Sequence, residues 1–196
     1  MKSKMKNIFA VLILLLFFFE SKSQEKQPVE EISKEKIVEL RNFLKGKEYN
    51  QDVAIFINFK IPSNKFRLFI YDLKKGKVLE KAIVSHGSGS VISNSNQLKF
   101  SNIENSYQSS LGKYEIANKY FGAFGLSFRL KGLDKTNSNA MKRAIVIHSL
   151  SCIKDEESSE SACLSLGCPM LSPKFLKTAE KYIDSSKKRI ILDAYY

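Results

Sequence analysis

The sequence predicts a single α+β domain that is rich in β-strands and capped by short helices. Short apolar or alternating runs recur from residue 52 to the C-terminus and are separated by turn-forming residues, which is typical of strands. Apolar residues at helical spacing occur in two stretches, one before this region and one near its end. The sequence has no repeat and no Rossmann or phosphate-loop glycine pattern, and its 196 residues suit one domain.

The start of the chain predicts export. A basic segment is followed by the apolar run of residues 8–19, and Ser21 and Ser23 place small side chains at the −3 and −1 positions before Gln24. Because the run is too short to span a bilayer comfortably, it predicts a secretory signal peptide over residues 1–23, with an uncleaved anchor as the alternative. No cysteine follows the run, so we expect no stable membrane anchor after cleavage and a location in the periplasm or cell envelope.

The chain is basic, with a formal net charge of +12. Residues 1–23 contain four lysines and one glutamate, so the rest of the chain carries +9. Such a surface is either a solvated lysine face or a surface that attracts an acidic partner. Export, few arginines and the lack of an aromatic RNA-binding signature argue against nucleic acid as that partner.

An amphipathic helix with its linker is predicted in residues 24–48, ahead of the main domain in residues 49–196. The helical pattern ends at Gly46, and its apolar residues are Ile32, Ile37, Leu40 and Leu44.

The first strands are predicted at residues 52–59, 65–72 and 77–84, and a hairpin turn at residues 73–77 joins the last two. Residues 85–111 are rich in Ser, Asn and Gly. They form a long connection, and connections of this length are often functional.

The second half of the domain continues with strands and closes with a helix and a strand. Further strands are predicted at residues 112–118, 125–132 and 143–149, with about one helical turn at residues 137–143. Ser172 is a good N-cap and Pro173 a good first residue for a second helix. Its apolar stripe is Leu176, Ala179 and Ile183, and residues 188–196 form the last strand.

One cysteine and one histidine lie at the two ends of a polar connection. His148 ends the apolar run "RAIVIHSL", and Cys168 follows Gly167 in "SLGCPML". A thiolate needs a nearby base, and imidazole is its usual partner, so the pair predicts a nucleophile and its base. Gly167 allows close approach of a substrate carbonyl, and backbone N–H groups at this turn can hold an oxyanion, although Pro169 has none.

Two other interpretations of this pair stay open on the residues alone. His148, Cys152, Cys163 and Cys168 supply enough ligands for zinc, although the tight C-x2-C spacing is absent. Alternatively, Cys168 is a buried small hydrophobe beside a core histidine.

The sequence resembles the L,D-transpeptidase catalytic domain, a cysteine family that acts on peptidoglycan. The resemblance is carried by "IVIHS…SLGCP", by "RLFIYDLKKGKVLEKAIVSHGSGS", by "SSLGKYEI" and by "GLSFRLKGLDKTNSNAMKRAIVIH", in order over roughly residues 50–193. The S-x-G-C-P form places it in the branch described as murein L,D-transpeptidase catalytic-domain proteins. The resemblance implies a mixed β-sandwich or barrel.

The resemblance also implies roles for residues of the His and Cys segments. Cys168 is the expected nucleophile and His148 the base and later acid, with the backbone carbonyl of Ser149 orienting the imidazole. Gly167 and Cys168 match the oxyanion segment, and Ser165 matches the small residue that supports the turn.

Three further residues are expected at the substrate. His86 in "SHGSGS" either lines the cleft or caps a loop through a hydrogen bond, and Gly112 and Tyr114 lie in the matching stretch "SSLGKYEI". Two positions depart from the family pattern, since Ser149 replaces a common glycine and Met170 replaces a common arginine. The substrate-anchoring role of that arginine is therefore in doubt for this chain.

The implied function is formation of L,D cross-links between peptidoglycan stem peptides through a thioester acyl-enzyme, without a metal or other cofactor. Carbapenem-type β-lactams are the expected inhibitors, and a monomer is expected. The alternatives are an L,D-carboxypeptidase or hydrolase with the same site, and a non-catalytic wall-binding or zinc-stapled module. Three cysteines in an exported chain leave one unpaired, so we also predict a Cys152–Cys163 disulfide that keeps Cys168 reduced, provided that the two positions lie close enough to bridge.

Overall fold

The computed structural model describes residues 31–196, in which two helices and eight strands form one domain. The predicted signal peptide lies outside the described residues. The helices are α1 Lys34–Leu44 and α2 Pro173–Ser185. The strands are β1 Val53–Asn58, β2 Leu68–Asp72, β3 Lys77–Ala82, β4 Gly112–Gly122, β5 Gly125–Gly132, β6 Val146–Ser149, β7 Met170–Leu171 and β8 Ile191–Tyr195.

All eight strands belong to one mixed sheet in the order β3-β2-β1-β8-β4-β5-β6-β7. The pairs β1–β8 and β6–β7 are parallel, and the others are antiparallel. The two ends of the sheet approach each other, because Ser85, which follows β3, donates its N–H to Met170 O of β7 at 3.1 Å. The sheet is therefore a nearly closed barrel, which confirms the predicted β-rich α+β fold.

Both faces of the sheet are buried over much of their area. On β1, Ile55 and Ile57 face the inner core, whereas Ala54 and Phe56 face the outer core beneath α1. Successive residues of a strand point to opposite faces, so a continuous apolar run fits this position better than an alternating one. The helix α1 contributes Leu40 to the outer core, where its side chain is fully buried.

The second helix fixes the strand that follows the cysteine. Ser172 caps α2 as predicted, since its hydroxyl oxygen accepts the N–H of Phe175 at 3.0 Å. Leu176 and Ala179 pack into the inner core. The two-residue strand β7 directly precedes this cap, so the capping motif fixes the end of the segment that contains Cys168. Within residues 31–196, neither helix is long and apolar enough to cross a membrane.

Residues 137–143 form a series of turns and not a regular helix. The helical turn predicted here is limited to one i to i+4 bond, from Arg143 N–H to Asn139 O at 2.8 Å. The next residue, Ala144, has a φ of 53°, which reverses the chain before β6 and prevents a helix from continuing there.

Candidate active site

Cys168 lies where the connection after β6 enters β7. The preceding Gly167 has a φ of 118°, a conformation that favours glycine. A Cβ on Gly167 would come within 2.9 Å of Gln108 O and 3.2 Å of Arg143 Nη2. The glycine is therefore required both by the backbone conformation and by the close packing of the residues 101–110 loop against this turn.

The sulfur of Cys168 contacts the segment that leads into β6. Val146 N–H donates to Sγ at 3.5 Å, and the thiol donates to Ala144 O at 3.7 Å. The side chain is partly buried. Burial raises the pKa of the Cys168 thiol, and the Val146 N–H and the charge of Arg143 act against that rise.

His148 lies on β6 opposite Met170 of the parallel strand β7. Its Nδ1 is 3.3 Å from Ser149 O, so Nδ1 carries the proton that this carbonyl accepts and Nε2 is left as a basic nitrogen. The ring of Phe124 stacks on the imidazole, with centroids 4.3 Å apart and planes at 25°. The imidazole is almost completely buried, and burial lowers the pKa of His148.

Serine hydroxyl groups hold the backbone on both sides of Cys168. Ser85 donates to Cys168 O at 3.1 Å and accepts the N–H of Met170 at 2.8 Å. Ser165 Oγ accepts the N–H of Gly167 at 3.0 Å, which is the turn support expected of Ser165. The Gly167 N–H is used in this way, whereas the N–H of Cys168 has no hydrogen-bond acceptor within residues 31–196.

His86 lies behind the nucleophile segment and is buried. Its Nδ1 accepts a hydrogen bond from Nη2 of Arg67 at 2.9 Å, and Arg67 is itself only 1% exposed. Burial and the neighbouring guanidinium lower the pKa of His86 to about 4, so the ring is neutral at pH 7. Its backbone O accepts the N–H of Ser165 at 2.9 Å, so His86 supports the turn before Cys168; a direct substrate contact stays a prediction.

The two other residues expected at the substrate lie inside the fold. Tyr114 is 2% exposed, and its hydroxyl donates to Ser110 O at 2.8 Å. Gly112 begins β4 with a φ of 113°, and a Cβ there would lie 2.7 Å from Asp134 Oδ2. Their substrate contacts also stay predictions. Tyr114 lines a small cavity together with Gly167, whereas Gly112 packs against Asp134 and Thr136.

Cys152 and Cys163 form a disulfide with a Cα–Cα distance of 6.2 Å, as the cysteine count suggested. Cys168 is the free thiol of the chain. The zinc interpretation needed the thiolates of Cys152 and Cys163, which the disulfide removes. Met170 is 3% exposed and packs with Ile83, so its position supplies no charge to the site.

The sequence matches the family described as L,D-transpeptidase catalytic domain over residues 24–192. The chain belongs to this family. The match covers α1 and all the strands except the end of β8.

Solved structures of similar proteins are distant in sequence. The helical cell shape determining protein Pgp2 from Campylobacter jejuni is 15% identical over 84% of this chain and 56% of its own, with a TM-score of 0.44. An L,D-transpeptidase from Mycobacterium smegmatis is 14% identical over 74% and 59%, with a TM-score of 0.43, and one from Xylanimonas cellulosilytica is 13% identical over 76% and 62%, with a TM-score of 0.38. The chain thus spans little more than half the length of these proteins. No curated protein sequence matches it.

Several residues of the site carry no signal in the sequence. Phe124, Ser85 and Arg143 reach the Cys168–His148 region from three different segments. Phe124 lies at a hairpin tip, Ser85 in a serine-rich loop and Arg143 in a turn that contains lysine and arginine. Each of these segments has the composition of an ordinary surface segment. Of the three, only Ser85 has a cue in the sequence, because "SHGSGS" begins with it and directly follows a predicted strand.

Proposed function

We propose that this L,D-transpeptidase domain is an exported cysteine acyltransferase that forms L,D cross-links between peptidoglycan stem peptides. The observation that carries the proposal is the arrangement at one sheet edge: a partly buried free thiol at Cys168, and His148 with its tautomer set by Ser149 O. The family membership supplies the reaction class. The substrate, a stem tetrapeptide ending in D-alanine, follows from the family resemblance.

In the first half-reaction, Sγ of Cys168 attacks the carbonyl carbon on the L-centre of a diamino acid. Nε2 of His148 takes the thiol proton and gives it to the amine of the departing D-alanine, which leaves a thioester. The oxyanion formed during attack is held by the N–H of Cys168, a backbone donor fixed by the Gly167 turn.

In the second half-reaction, an amine of a neighbouring stem attacks the thioester. His148 takes a proton from this amine and returns it to the departing sulfur, so that an amide forms and the thiol of Cys168 is restored. Water in place of the amine gives L,D-carboxypeptidase activity with the same residues. This hydrolysis is the second candidate function.

The electrostatics favour a neutral resting pair. Burial raises the pKa of Cys168 and lowers that of His148, so both groups are uncharged at neutral pH. In this structure the thiol donates to Ala144 O rather than to His148. Attack therefore requires the thiol proton to turn from Ala144 O to Nε2, and His148 acts as a general base on a neutral thiol.

Export of the chain is part of the proposal. It rests on the signal-peptide pattern of residues 1–23 and on the Cys152–Cys163 disulfide, a bond that persists in oxidising compartments such as the periplasm. The basic charge of the remaining chain suits a substrate rich in carboxylates.

The test is mass spectrometry of purified protein incubated with tetrapeptide muropeptides. The wild type should gain an acyl group on Cys168 and release cross-linked or trimmed products, whereas Cys168→Ala should lose turnover by more than about a thousandfold and melt near the wild-type temperature. Carbapenem should add covalently to the wild type and not to Cys168→Ala. The matched control is Ser159→Ala, an exposed serine of the same connection, and it should behave as wild type. Wild-type turnover by Cys168→Ala would refute the assignment.

A further inference from the structure

The guanidinium of Arg143 lies beside the nucleophile turn. Its Nη2 is 3.2 Å from the position of a Cβ on Gly167, so a side chain before Cys168 would crowd the guanidinium. Arg143 also lies close enough to Cys168 for its charge to act on the thiol. The residue is partly buried, in a setting where charges interact more strongly than in bulk water.

The hydrogen-bond acceptors of Arg143 are uncharged. Nη1 donates to Ser101 O at 2.7 Å and to Ser110 Oγ at 3.3 Å, and Nη2 donates to Gln108 O. No carboxylate lies within 4.0 Å of its guanidinium among residues 31–196. Its positive charge is therefore satisfied in hydrogen bonds but not neutralised by a carboxylate.

The segment that begins with Arg143 provides the remaining contacts of the sulfur. Ala144 turns back with a φ of 53° and presents its carbonyl to the thiol, and Val146 donates its N–H to Sγ. A thiol can use the Ala144 carbonyl, but a thiolate cannot donate to it. A thiolate gains instead from the Val146 N–H and from the cation.

We propose that Arg143 is a positioning residue that stabilises the thiolate of Cys168, with the Val146 N–H as the direct donor to sulfur. Tyr114, whose hydroxyl is tied to Ser110, is a further ionisable group that interacts with Cys168, and His148 is the proposed base. Arg143 is the cation among these groups. The proposal rests on the proposed nucleophilic role of Cys168 and specifies how the fold makes that thiol reactive.

The test measures the pKa of Cys168 directly, from the rate of iodoacetamide alkylation as a function of pH. Because Cys152 and Cys163 form a disulfide, alkylation of the native protein reports Cys168 alone. Arg143→Met should raise the thiol pKa by about one unit and slow alkylation about tenfold at pH values below the wild-type pKa. Arg143→Lys, which keeps the charge and loses the fork geometry, should stay within about threefold of wild type.

Arg189→Met is the matched control, because Arg189 is an exposed arginine that bonds Asn118 at 2.5 Å and does not act on Cys168. It should leave the alkylation profile unchanged. An unchanged pKa in Arg143→Met, or equal slowing in Arg143→Lys and Arg143→Met, would show that Arg143 only anchors the residues 101–110 loop. Circular dichroism checks folding, and Arg143→Gln replaces the methionine variant if that variant does not fold.

Alkylation needs no stem peptide, so this result is independent of the muropeptide assay. If Cys168→Ala keeps its muropeptide activity while Arg143→Met shifts the thiol pKa, the proposed function fails and the role of Arg143 in thiol reactivity stands. If only the alkylation result fails, the nucleophile assignment stands without this positioning residue.

Discussion

His148 is held by one neighbour on its own strand and one from a distant hairpin. The carbonyl of Ser149 selects the tautomer, and the ring of Phe124, at the turn between β4 and β5, covers one face of the imidazole. Phe124 is itself 57% exposed, so it lies at the mouth of the site and shields the base from water on one side. Aromatic stacking of this kind contributes about 0.5–1.5 kcal/mol beyond area burial.

The stacking of Phe124 on His148 predicts how the activity depends on pH. The base must be neutral to accept the thiol proton, so activity falls as pH drops through the pKa of His148. Burial puts that pKa below the ordinary 6.5. Phe124→Ala opens the imidazole to water, which should move the acid limb of kcat/KM upward by about half a pH unit, toward 6.5.

Phe124→Trp keeps an aromatic face on the imidazole, so the acid limb of its kcat/KM profile should stay at the wild-type pH. Nuclear magnetic resonance titration of the imidazole gives the same shift without turnover. A limb that stays in place in Phe124→Ala would mean that burial by the rest of the fold alone sets the pKa of His148.

Among single residues, the sequence allows prediction of those whose type and sequence context indicate chemistry. Cys168 after a glycine and His148 at a strand end are such residues, and so is Ser165, whose hydroxyl holds the turn. Phe124 and Arg143 could not be found in this way, because phenylalanine and arginine are ordinary in hairpins and turns. Their proximity to the site depends on pairings between elements far apart in the chain.

Among the elements, the connection between β6 and β7 positions Cys168, the proposed nucleophile, relative to His148, its proposed base. The disulfide between Cys152 and Cys163 closes one part of it. The polar residues between the two cysteines are held as well, because Asn64 donates to Ser158 O at 2.6 Å and Glu157 accepts the N–H of Phe66 at 2.9 Å. The connection is thus closed by a disulfide and also hydrogen-bonded to the segment before β2.

Removal of the staple should cost up to the value that chain-entropy models give for a loop of this size, about 3 kcal/mol, because the disulfide restricts the unfolded chain. The contacts of Ser158 and Glu157 act in the folded chain and should keep part of the loop in order without the disulfide. The Cys152→Ser/Cys163→Ser variant should lose less than about 3 kcal/mol of unfolding free energy in urea. Its kcat/KM should fall by more than the larger unfolded fraction of the variant explains, because the end of this connection carries Cys168.

The proteolysis rate at Lys154, an exposed residue of the loop, measures local opening in the same samples. If the double variant has wild-type kcat/KM and a wild-type proteolysis rate, the contacts with residues 64–66 are enough to hold the connection in place without the disulfide.

The elements themselves were predictable to different degrees. The hairpin β2–β3 and the capped helix α2 follow from local turn and capping residues, and both lie where the sequence placed them. The strand β7 has two residues, too few for a periodic signal, and its partner β6 is set by parallel pairing across the connection. A pairing of that kind has no local sequence signature.

For the whole molecule, the attachment of α1 to the barrel involves an exposed glutamate on α1 and two buried charges on the strands beneath it. Lys113 of β4 is paired with Glu39 of α1, and it lies opposite Asp193 of β8. Asp193 is 1% exposed, and neither of its carboxylate oxygens makes a hydrogen bond within residues 31–196. A buried carboxylate without donors costs free energy in its charged form, and the nearby Lys113 offsets only part of this cost.

The global stability should therefore depend on pH through Asp193. Burial raises the pKa of Asp193 from 3.8 to about 6. Between these values the folded chain holds a proton that the unfolded chain has released, so stability falls as pH rises through this window and the cost is complete above pH 6. Asp193→Asn removes the charge. It should raise the free energy of unfolding at pH 7 by up to about 3 kcal/mol, and this gain should vanish near pH 4.

Urea denaturation at pH 4 and pH 7 measures both values, with Asp184→Asn as the control, because Asp184 is an exposed aspartate paired with Lys119. The control should change stability by less than about 1 kcal/mol at either pH. If Asp193→Asn is instead less stable than wild type at pH 7, the attraction between Asp193 and Lys113 exceeds the cost of burial. The barrel would then be held to α1 through a continuous charge network from Glu39 through Lys113 to Asp193, and the stability of the wild type would rise, not fall, between pH 4 and pH 7.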